Sequence, residues 1–209
     1  MSSRSRRSYA PPALERWARH HGWTTAQDVR KVAWGEVLPG GNPHGWAWPG
    51  FGESILPLVM DGSWRGRKVI AAVYVHKYTS GDTEHADPYT VVLACLSAEQ
   101  PRIRVEPAKR LRFRRRRRGQ VLSGDPAFDS RVSVFSAQPD QVHALLTPDA
   151  RNALLTIPVD HWDLCGTYLA ARWPGFPVAL ALQGQLDLLL DIADSLGLPA
   201  LPDSQDTAG

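Results

Sequence analysis

Residues 67–78 read RKVIAAVYVHKY and residues 89–97 read YTVVLACLS. In the first stretch Val69, Ala71, Val73 and Val75 fall on one side. Ile70, Ala72, Tyr74 and His76 fall on the other. A period of two with apolar residues on both sides predicts a long strand. The second stretch is apolar on both faces, which predicts a strand at the centre of a sheet. Between them, residues 79–88 carry Asp82, Glu84 and Asp87 and read as an acidic loop.

Working outward, residues 53–60 form a further predicted strand, and Asp61-Gly62 supplies a hairpin signal. Residues 102–106 alternate Arg102, Ile103, Arg104, Val105, Glu106, the pattern of a half-exposed strand. A turn at Gly124-Asp125-Pro126 precedes a fifth predicted strand from Arg131 to Ser136. On the N-terminal side, Pro11-Pro12 open a helix to about His20, with Ala13, Leu14, Trp17 and Ala18 as its stripe and Gly22 as terminator. Residues 25–34 read as a second short helix, with Val29 and Val32-Ala33 inward. Pro139 and Pro148 each suit the first turn of a helix. Trp162 to Cys165 and Tyr168 to Arg172 suggest a hairpin around Gly166. The last helix spans about 178–196, with Leu182, Leu186, Leu189, Ala193 and Leu196 inward and Asp187, Asp191 and Asp194 opposite.

Clustered strands with grouped helices predict an α+β fold: an antiparallel sheet with N-terminal, middle and C-terminal helices packed on it. The expected organisation is a mobile basic tail over 1–10, a single α+β domain over 11–198 and a disordered tail over 199–209. Residues 35–52, with six glycines, three prolines, Trp46 and Trp48, read as a long loop.

Charge is distributed unevenly. The formal net charge is +3, yet Lys109 and the seven arginines at 110, 112 and 114–118 contribute eight positive charges, so the rest of the chain sums to −5. A concentrated patch of this kind suits a polyanion or an acidic protein surface. The candidate polyanion-binding residues are Lys109, Arg110, Arg112, Arg114, Arg115, Arg116, Arg117 and Arg118. Trp46 and Trp48 are the candidate partner-binding anchors, tryptophan being enriched at interface centres.

Catalytic signatures are missing. There is no G-x-S-x-G elbow, no phosphate loop, no G-x-G-x-x-G and no HExxH. The sequence therefore indicates no catalytic residue, no metal and no cofactor. Cys95 and Cys165 lie in apolar segments and are expected to be reduced, buried and inert. No apolar run approaches the ~20 residues of a membrane span, and the expected location is the cytoplasm.

Several segments together resemble an uncharacterised family of actinobacterial proteins. They are His21-Gly22-Trp23, Trp64-Arg65-Gly66-Arg67-Lys68-Val69, the strand at 89–97, Pro101 to Pro107, and Phe128-Asp129-Ser130-Arg131-Val132-Ser133-Val134 with Leu146-Thr147-Pro148 after it. The resemblance implies no site residues. The resulting functional expectation is a non-enzymatic macromolecule-binding protein with an unknown protein partner. Binding of nucleic acid or an anionic membrane surface through residues 109–118 is one alternative. An enzyme whose pocket no linear motif reveals is the other.

Overall fold

The computed structural model describes residues 12–30, 55–80, 82–108, 117–158, 161–175 and 178–201. Among them are seven strands in one sheet and five helices. Helix α1 (Pro12–His20) buries Leu14, Trp17 and Ala18. Strand β1 (Thr24–Arg30) follows, where a helix was expected over 25–34. Its Thr24, Thr25 and Val29 are β-branched, and the edge of the next strand pairs it from Thr24↔Asp61 to Arg30↔Ile55. Tertiary pairing overrides a weak helical pattern here.

Strand β2 (Ile55–Trp64) runs straight through the Asp61-Gly62 pair that was expected to turn. The turn lies instead at Arg65-Gly66, both with positive φ (51° and 72°), leading into β3 (Arg67–Ser80). Two consecutive left-handed residues match the twist of the flanking strands. Gly62 serves a different purpose. The indole of Trp23 lies flat on it, so that an added Cβ would sit 2.3 Å from Trp23 Cγ.

The expected strands at 89–97 and 102–106 are one element, β4 (Thr83–Pro107). The acidic segment 79–88 belongs to the β3–β4 hairpin, paired out to Ser80↔Thr83. Then come β5 (Gln120–Val121), α2 (Pro126–Arg131) and β6 (Val132–Phe135). The expected turn at 124–126 is an N-cap: Asp125 accepts from the amides of Ala127 and Phe128. Arg131 therefore ends a helix, where the strand was expected to begin. Helices α3 (Pro139–Leu145) and α4 (Pro148–Thr156) follow, each with proline in its first turn. The predicted hairpin at Gly166 is a single strand, β7 (Trp162–Pro174), whose pairing with β4 shifts register around Gly166↔Gln100. Helix α5 (Ala179–Ser195) closes the order.

All strand pairs are antiparallel. β4 is the shared member. It pairs β7 along one flank, and β3 then β6 along the other. One face of the sheet carries the main core, where Leu58, Met60, Val92, Ile103 and Leu164 meet Leu14, Phe128, Val142 and the fully buried Leu182, Leu186 and Leu189 of α5. The other face holds a smaller cluster around Ile70, Val91, Leu93, Cys95 and Tyr168. Pro199 to Leu201, at the head of the expected tail, run beside β4: Leu201 N–H donates to Cys95 O (3.1 Å) and Ser97 N–H to Pro199 O (3.2 Å).

Candidate functional site

Alternation along β4 decides where the charges go. Ile103 and Val105 point into the main core, so Arg102, Arg104 and Glu106 point out of the opposite face. Beside them on β6, Val134 faces the core and Phe135 faces outward. Arg104 lies between Phe135 and Asp163 of β7 in register, and Gln120 of β5 lies beyond Phe135. The chain returns to the sheet at Arg117. Its amide donates to Gln120 Oε1 (3.2 Å), and Ser136 N–H donates to Gly119 O (2.9 Å), which fixes the 117–120 turn against β6.

These residues enclose an open groove of about 720 Å³. Its lining includes Arg102, Arg104, Glu106, Arg117, Arg118, Phe135, Ser136 and Gln138. Arg104 Nε donates to Asp163 Oδ1 (3.0 Å), and Arg117 Nη1 donates to Glu106 Oε2 (2.9 Å). The Arg117 guanidinium also stands over the Phe135 ring, 4.5 Å from its centre. Burial pushes the Asp163 carboxyl above its ordinary range, against the pull of Arg104, Arg172 and Arg102. Arg118 is exposed and has no ion-pair partner among the described residues. The lining thus offers four guanidinium groups and one carboxylate; Arg104 and Arg117 are each paired through one nitrogen, and Arg102 is engaged as well.

Of the residues expected to bind polyanions, Arg117 and Arg118 are in this groove. Lys109, Arg110, Arg112, Arg114, Arg115 and Arg116 lie outside the described residues, as do Trp46 and Trp48. Arg102, Arg104, Glu106 and Phe135 were missed as site residues. The alternation in PRIRVEP was the available signal for the first three. Phe135 carried none, because its role depends on β6 pairing with β4.

The acids of α5 are engaged elsewhere. Trp64 Nε1 donates to Asp187 (2.8 Å), and Arg65 bridges Asp191 (2.7 Å) and Asp194 (2.9 Å). Arg67 also reaches Asp194 and the carbonyl of Leu198. The β2–β3 turn is thereby clamped onto the last helix, and Trp17, His21, Trp23 and Trp64 form a ring cluster beside it. Cys95 is buried, and burial pushes its thiol up to about 11. Cys165 is half-buried, contrary to expectation, because β7 breaks register next to it. No group of three or more metal-ligating side chains occurs among the described residues, and none of their helices is long and apolar enough to cross a membrane.

No family model and no curated protein matches this sequence. A solved structure does share its fold. That structure is the mycobacterial trehalose monomycolate transport factor A, TtfA, which aligns with a TM-score of 0.59 over 91% of this chain and 97% of the other. At 15% identity the likeness is one of fold.

Proposed function

We propose that this chain is a non-enzymatic accessory protein that works by binding another protein, with the arginine-lined groove as its contact surface. The observation that carries the reading is the surplus of guanidinium groups over carboxylates in that groove. Charge of one sign in a concave site attracts a partner of the other sign and sets its register. The fold likeness to a protein named as a transport factor supports an accessory role. The arginine run extends the chain's basic character from the groove at Arg117 and Arg118.

The test is recovery from the native host after crosslinking, as wild type and as the Arg102→Gln/Arg118→Gln double variant. A protein recovered with the wild type should bind it in purified form with fixed stoichiometry, and should be lost or weakened with the variant. Recovery of nucleic acid or lipid in place of protein would overturn the reading.

A further inference from the structure

The groove is selective about what kind of anion it can take. Phe135 is the aromatic ring in its lining, and the Arg117 guanidinium already covers it at 4.5 Å. Single-stranded nucleic acid is held by bases stacked on open aromatic faces. On that face a base could reach Phe135 only by displacing a guanidinium that Glu106 also anchors. Glu106 itself lines the groove, and Asp163 stands behind Arg104. A continuous row of phosphates would have to pass over a fixed negative charge. A segment with separated charges would not.

The cations are spaced accordingly. Arg102 and Arg104 are two apart on a strand, so their stems rise from one face about 6.6–6.8 Å apart. Carboxylates two apart on an extended peptide have the same spacing. Arg104 uses Nε for Asp163, and Arg117 uses Nη1 for Glu106. Further donors on both, and all those of Arg118, have no partner among the described residues. From the occupied ring, the internal carboxylate and this spacing, we infer that the groove binds an extended acidic segment of a partner protein, with carboxylates at alternate residues. The inference rests on the protein-binding reading above and specifies the chemistry of its partner.

The experiment uses the whole chain and four probes: a fluorescein-labelled decapeptide of alternating Glu and Val, its Gln–Val counterpart, an oligo-dT of similar length, and anionic phosphatidylglycerol vesicles. The Glu–Val peptide should bind saturably below about 1 mM and weaken with added salt. The Gln–Val peptide should not bind. Arg102→Gln/Arg118→Gln should weaken the Glu–Val peptide about tenfold, with the melting temperature checked in parallel. Arg118→Gln alone, at an exposed position with no partner among the described residues, gives a second variant chosen to spare the fold, and it should weaken the peptide in the same direction.

Oligo-dT or vesicles binding more tightly than the peptide, and competing with it, would overturn the inference. Absence of saturable peptide binding, or binding indifferent to both variants, would do the same. A native partner that is lost with the double variant while the Glu–Val peptide never binds would sink the segment chemistry and leave the protein-binding reading standing. No protein partner in any preparation would remove the reading itself.

Discussion

Replacing Gly62 with alanine adds one methyl group, and the structure puts that methyl group inside a tryptophan. The new Cβ would lie 2.3, 2.4 and 2.5 Å from Cγ, Cδ1 and Cδ2 of Trp23. The indole has nowhere simple to go. Its edge meets Trp17, 5.2 Å away between ring centres, and its Nε1 donates to Ser63 O (3.1 Å). Overpacking of this kind costs about 1–3 kcal/mol, and losing the indole hydrogen bond costs about 1 kcal/mol more. Stiffening of the unfolded chain returns about 0.4–1 kcal/mol. The expected net loss is about 1–3.5 kcal/mol, or a fall in Tm of about 2–14 °C for a chain of this size. Denaturant melts followed by tryptophan fluorescence and by far-ultraviolet circular dichroism would measure it. The cause is tested by a cycle: in a Trp23→Leu background, Gly62→Ala should cost less than about 0.5 kcal/mol. An equal cost in both backgrounds, or a Gly62→Ala protein as stable as the wild type, would refute the reasoning.

Leu186→Ala, at a fully buried position on α5, should cost about 2–5 kcal/mol in the same melts. In native thiol labelling followed by mass spectrometry, Cys165 should react well before Cys95, whose thiol is both buried and raised to about 11; equal rates would contradict the difference in burial. Because Asp163 is raised in the folded state, its contribution to stability is full below the ordinary carboxylate pKa and declines as pH rises through the raised value. Asp163→Asn should therefore flatten the stability–pH curve just above pH ~4, and an unchanged slope would tell against the burial. Arg65→Ala should cost less than about 1 kcal/mol and lose its effect at high salt, because both of its ion pairs are exposed.

The antiparallel sheet and the helices around it were legible because period-two and helical stripes report directly on burial. Val69 to Val73 and Leu182, Leu186 and Leu189 sit where those patterns put them. The misplaced boundaries share one cause. Asp61-Gly62 satisfies a turn rule that is local, whereas the reason for Gly62 is Trp23, 39 positions away in the chain. The β-branched Thr24, Thr25 and Val29 are too scattered to mark 24–30 as a strand until β2 lies beside it. Gly166 reads as a hairpin turn, yet it marks a slip in register against Gln100. The groove follows the same division. Its β4 arginines were visible as alternation, but their meeting with Phe135 and Arg117 depends on pairings that no linear window contains.

The position of β4 has a consequence for synthesis. Its flank toward β3 is paired as soon as the hairpin folds, but its other flank waits for β7, about eighty residues later. At ~5–20 residues per second this leaves ~4–16 s on the ribosome during which Tyr89 to Leu96 presents open backbone on one side. That stretch is uncharged, β-branched and free of proline, the composition from which intermolecular cross-β stacks are built. Nascent chains stalled or truncated before Trp162 should therefore collect in inclusion bodies. The C-terminal fifth of this protein acts as the guard of its own centre, and soluble yield should depend on how quickly it emerges.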